Sequence, residues 1–98
     1  MIVLFVAHLS QIVATPGALV ALAAADTSPS TLLSRHAAGD WGDLDAHDRT
    51  ANDDALRDGS RLLSAYTVAE GVTVWIITEA ADEDGHRAAT TLLLPEEY

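Results

Sequence analysis

The chain changes its hydrophobic period once, near residue 60, and that switch narrows the architectures open to it. Before it, the sequence is punctuated for helices. Thr15-Pro16-Gly17 leads into ALVALAAAD, Ser28-Pro29 into STLLSRHAA, and Asp45 into AHDRTANDDALRD. A Ser, Thr or Asp side chain accepts the unpaired N–H groups of a first helical turn, and proline at the first helical position has no N–H to satisfy. These signals predict helices over residues 16–25, 29–38 and 46–58, with Gly39 and Gly59 as C-terminal stops. Leu32, Leu33 and His36 fall on one side of the second helix at helical spacing. Ala51, Ala55 and Leu56 give the third a thin apolar stripe.

After the switch, RLLSAYTV, VTVWIITE and AATTLLLP are rich in β-branched, aromatic and aliphatic residues. Ala69-Glu70-Gly71 and residues 82–86 are the turns between them. The pattern predicts a three-stranded antiparallel β-meander, with Val72, Val74 and Ile76 on one face and Trp75 and Ile77 on the other. Residues 9–14 read as a short extended segment, and residues 1–8 as an extended or frayed one. The expected class is α+β: two to three N-terminal helices packed on that meander, with room for one N-terminal strand. At 98 residues the chain is expected to form a single domain, 1–98.

The chain has no cysteine, which excludes disulfides, thiolate metal sites and a Cys nucleophile. Its formal charge of −10 comes from fifteen acids against five arginines and no lysine. Such a surface repels nucleic acid and anionic membranes and favours a basic protein partner or a cation. The same composition is also what a GC-rich or salt-adapted genome writes into ordinary proteins. The apolar start, MIVLFVAHLSQIV, lacks a basic leader region and is too short to span a bilayer. The expectation is a cytoplasmic protein that binds neither membrane nor nucleic acid directly.

The densest charge lies in residues 40–58, where seven of nineteen positions are aspartate: Asp40, Asp43, Asp45, Asp48, Asp53, Asp54 and Asp58. Three kinds of chemistry suit such a segment. As a metal site, His36, Asp40, Asp43 and His47 offer borderline and hard donors, with Asp45 and Asp48 close by, but their spacing matches no defined loop. As a catalytic site, the serines, histidines and acids lack a nucleophile elbow and a glycine-framed serine, and no phosphate cradle is present. As a binding surface, carboxylates about one helical turn apart stand in for the phosphates of DNA in front of a basic groove. Asp40, Trp41, Asp43, Asp45, Asp48, Asp53, Asp54 and Asp58 form the candidate partner-binding set. Trp41, near Gly39 and Gly42, is read either as a lid packed over the helix junction or as an exposed anchor. The plain alternative for the whole segment is helix capping plus a solvated face.

IVATPGAL (residues 12–19), RHAAGDWGDL (35–44), LLSAY (62–66), WIITEA (75–80) and TTLLLPEEY (90–98) resemble a family of small proteins carried on bacterial plasmids and integrated mobile elements. Labels in that family include plasmid-related protein and type I restriction enzyme subunit. The resemblance covers nearly the whole chain from Ile12, departing in the N-terminal extension and in the turn AADEDGHRAA, where a shorter turn is usual. It implies no known catalytic residue; separately, no cofactor is expected. It does imply a mobile-element setting, in which small acidic proteins often block host defence as anti-restriction or anti-CRISPR proteins. The leading expectation is therefore a non-enzymatic inhibitor of a basic defence complex, acting by DNA mimicry. The alternatives are a metal-dependent enzyme or sensor built on the His/Asp cluster at 36–48, and a homodimeric accessory domain with no catalytic role.

Overall fold

The computed structural model describes residues 11–98, so the expectation for residues 1–8 lies outside the described residues. β1 (Ile12–Ala14) leads into α1 (Pro16–Ala24), α2 (Pro29–Ala37) and α3 (Ala46–Asp58). Then follow β2 (Leu62–Ala69), β3 (Val72–Thr78), β4 (Thr90–Leu93) and a 3-10 turn, Pro95–Glu97. The class is α+β, with three α-helices and one sheet among the described residues.

Each helix starts where its cap requires. The Thr15 hydroxyl accepts from Ala18 N at 3.1 Å, Ser28 from Ser30 N at 3.2 Å, and Asp45 from Asp48 N at 2.8 Å. α3 stops at Gly59, whose φ of 82° is left-handed and suits a residue without a side chain.

The sheet corrects the three-stranded meander. Among the described residues it has four strands in the order β1-β4-β3-β2 and is mixed. β2 with β3 and β3 with β4 pair antiparallel, while β1 lies parallel to β4, with Ile12 opposite Thr90 and Ala14 opposite Leu92. A parallel pair needs a long crossover, and here everything from α1 to β3 supplies it. Local turn signals say nothing about such a pairing.

One face of the sheet carries the main core. Ala18 and Leu22 of α1 and Leu32 of α2 cluster with Tyr66, Val74, Ile76 and Leu92. A second cluster joins Trp41, Ala55 of α3 and Leu62. The α3 stripe differs from expectation: Asn52 and Ala55 are buried, whereas Ala51 is exposed. The opposite sheet face carries Ala65, Trp75, Ile77 and Leu93, and Tyr98 folds back edge-on against Trp75 at 5.9 Å.

Candidate functional site

The acidic segment is wired into the fold almost residue by residue. Between α2 and α3 the chain runs along the outer edge of β2 as a strap. Ala65 N donates to Trp41 O at 3.1 Å, and Asp43 N donates to Ala65 O at 2.7 Å. Gly42 lets the strap lie this close. Its φ is +78°, and a Cβ there would stand 2.0 Å from Ala65 O. Two positions further along β2, the Asp43 carboxylate accepts Thr67 N at 3.0 Å, and the Thr67 side chain together with this backbone bond holds Asp43 below the usual carboxylate range. Two positions back from Ala65, Asn52 reaches from α3 and completes the edge. Its amide donates to Leu63 O at 2.6 Å and accepts Leu63 N at 3.1 Å. A bare edge strand is a template for unwanted pairing, and here two side chains and a loop occupy it.

The remaining acids have similar duties. Asp40 takes Arg35 Nε at 2.7 Å and Nη2 at 3.2 Å, and that bidentate contact lowers its pKa. Arg35 in turn stacks over the Tyr66 ring at 4.5 Å, and the Tyr66 hydroxyl donates to Asp40 O at 2.6 Å. Burial pushes the Tyr66 phenol up to about 12. Asp53 accepts the Trp41 indole N–H at 3.1 Å, Asp54 pairs with Arg57, and Asp58 accepts Ser60 N at 2.8 Å. Asp45 caps α3, and Asp48 lies in its first turn, 3.6 Å from the ring of His47.

Trp41 therefore leaves the partner-binding set. It is 4% exposed, its ring edge packs against His36 at 5.7 Å, and its N–H is used. The other seven members, all carboxylates, remain exposed. Their net charge is smaller than the aspartate count suggests, because Arg49 and Arg57 share the segment and Arg35 reaches it from α2. A second acidic group, Glu79, Asp82, Glu83 and Asp84, surrounds the turn before β4. Asp82 there accepts both Asp84 N and His86 N at 2.9 Å, which depresses its pKa.

The metal set is not brought together as a whole. His36 is fully buried, with Nδ1 2.6 Å from the Ser64 hydroxyl and Nε2 2.8 Å from that of Thr78. Both ring nitrogens are occupied, and Thr78 passes the chain on to Thr90 at 2.8 Å. Burial, helped by the charge of Arg87, pushes His36 down to about 4, so it is neutral in the folded protein near pH 7. His47 lies exposed on α3, and Asp40 and Asp43 hold Arg35 and Thr67. Ligand atoms of Asp45, His47 and Asp48 lie within 4.8 Å of one another, as do those of Asp82, Asp84 and His86; all six residues are exposed.

Five residues escape a reading of the sequence. Asn52 resembles any polar residue on a solvated helix. Ser64, Thr78 and Thr90 resemble ordinary strand residues, although all three are fully buried. Arg87 sits in what reads as a turn, yet its guanidinium donates to Ser60 O at 2.7 Å, Glu79 O at 3.1 Å and Ala55 O at 3.1 Å. It ties the C-terminal part of α3 to the connection before β2 and to the residue just after β3, where a cation also suits the helix dipole. The only hint in the sequence is an arginine isolated among acids and small residues.

No family model matches the chain, and no curated protein or solved structure matches it either. No helix among the described residues is long and apolar enough to cross a membrane.

Proposed function

We propose that the protein is a non-enzymatic binding module whose exposed carboxylates engage a basic protein surface. The supporting observation is the exposure of Asp54 and Asp58 on the outer side of α3 and of Asp48 in its first turn. Asp54 and Asp58 stand one turn apart, a rise of roughly 6 Å, so their charges can meet successive cations in a groove built for nucleic acid. Asp40, Asp43 and Asp45 extend the same charge along the strap. Resemblance to mobile-element proteins makes a nucleic-acid-binding complex of host defence the partner class to test, and inhibition by DNA mimicry the mode.

The test is a triple variant, Asp48→Asn, Asp54→Asn and Asp58→Asn. It leaves Asp53 in place because that carboxylate holds Trp41. Asparagine keeps an acceptor for Ser60 N, so the fold is preserved while three charges go. Wild-type protein binds its basic partner at low salt and releases it near 0.5 M NaCl, and the variant fails to bind at either concentration. Binding that survives both changes overturns the reading.

A cation sensor is the second reading, and it rests on Asp45, His47 and Asp48 alone, since His36 is spoken for. A rise in melting temperature with added Zn²⁺ or Mg²⁺, lost in His47→Ala, would favour it over the first.

A further inference from the structure

The two edges of the sheet are finished differently. Along β2 the outward backbone groups of Leu63, Ala65 and Thr67 are bonded to Asn52, the strap and Asp43. Along β1 the inward side is used: Thr90 N donates to Gln11 O at 2.7 Å, and Thr15 N donates to Leu92 O at 3.0 Å. Backbone alternation then turns the N–H and C=O groups of Ile12 and Ala14 outward. The strand order ends at β1, and no described residue pairs with those groups.

The edge left unpaired among the described residues is also the uncharged one. Residues 11–25 contain no ionisable side chain, in a chain that carries fifteen acids. Of the five large apolar side chains exposed among the described residues, Ile12, Val13, Leu19 and Val20 fall in this stretch. α1 is apolar on all sides, which is unusual for a helix whose outer face meets water. Monomers blunt an edge with charge, proline or a bulge, and β1 holds none of these. The single carboxylate bonded to the stretch, that of Glu97, is held by Thr15 Oγ1 at 2.5 Å and Leu94 N at 2.8 Å.

We infer that β1 is a self-association edge, on which a second copy of this chain pairs antiparallel about a two-fold axis at Val13. Ile12 then exchanges both backbone bonds with the partner's Ala14, and the reverse pair does the same by symmetry. The two Val13 side chains meet as the close, non-hydrogen-bonded pair. Charge favours this occupant. α3, with its carboxylates, packs at β2, the far edge of the sheet, so a two-fold at β1 places the two acidic ridges at opposite ends of a continuous sheet. A basic partner has no counter-charge to find on β1, whereas an identical uncharged edge complements it. The inference is independent of the α3 proposal, because variants at β1 leave every carboxylate unchanged.

The test is the mass in solution of the full chain by light scattering, together with cross-linking. Twice the 10.3 kDa chain mass is expected at tens of micromolar. Ile12→Pro removes only an outward N–H and Val13→Asp sets two like charges face to face, so both variants should be monomeric with unchanged circular dichroism. With no native cysteine, Val13→Cys should form an intermolecular disulfide under mild oxidation, since a close antiparallel pair falls within disulfide reach. Ala51→Cys on α3 should not. A single-chain mass at every concentration overturns the inference. So does a dimer that persists in both β1 variants, which would place the interface elsewhere. A monomer with the Ile12 and Ala14 amides protected from exchange would also overturn it, showing that the chain itself covers the edge.

Discussion

At the scale of single residues, the most consequential group is His36. It is held between two hydroxyls in a site with no exposure, and its neutral form is the one that fits. Folded His36 titrates near 4, whereas an unfolded histidine titrates near 6.5. Between those values the unfolded chain takes up a proton that the folded chain refuses, so stability falls as pH drops from about 6.5 towards 4. The loss attributable to His36 is on the order of 3 kcal/mol. Urea midpoints at pH 7 and pH 4.5 should show it. His36→Gln, less stable at pH 7, should lose much less between the two; an equal loss in both proteins would assign the pH dependence to other groups. Tyr66→Phe removes one bond to Asp40 O and keeps the ring under Arg35, so a cost of about 1 kcal/mol in the same measurement is expected.

At the scale of elements, the strap and α3 act together on the edge of β2. Gly42→Ala drives a methyl group into Ala65 O and demands an unfavourable φ, so it should cost about 3 kcal/mol. Its signature is local. Trp41 moves from a buried site into water, and its emission shifts to the red even where the chain stays folded. Asn52→Ala leaves both backbone groups of Leu63 without a partner, for about 1–3 kcal/mol. Asn52→Asp should be worse, because a carboxylate cannot donate to Leu63 O and would face it with like charge. If Asp proved milder than Ala, water rather than Asn52 would be completing the edge.

At the scale of the whole molecule, a charge of −10 on 98 residues means self-repulsion that folding concentrates. Most of the aspartates between 40 and 58 accept a hydrogen bond or meet an arginine, but their charge remains. Raising NaCl from 0.02 to 0.5 M screens it and should raise the melting temperature by about 5 °C, equivalent to roughly 1 kcal/mol for a domain of this size. A fall on adding salt would mean that specific pairs, such as Arg35 with Asp40, outweigh the general repulsion. The inferred β1 pairing should strengthen with salt for the same reason. Partner binding through α3 should weaken, and the two surfaces can be told apart by that opposite dependence.

What the sequence determined by itself is whatever acts over a few residues. Thr15, Ser28 and Asp45 cap helices within their own first turns, Gly59 ends α3, and the change from helical to strand period marks the α+β class. Each of these depends on backbone groups no more than four positions away, so composition and spacing expose them. The duties of the acidic segment depend on partners that only folding brings near. Asp43 meets Thr67, 24 residues on, and Tyr66 reaches Asp40 across 26. His36 finds Ser64 and Thr78 at separations of 28 and 42. Arg87 gathers carbonyls from residues 8 to 32 positions away, and β1 lies beside β4. Tertiary structure decided that Trp41 is core, that both ring nitrogens of His36 are taken by hydroxyls, and that one sheet edge is closed while the other is unpaired among the described residues. The physical reason is that hydrogen bonding and burial are satisfied in space, and a sequence displays only the neighbours along the chain.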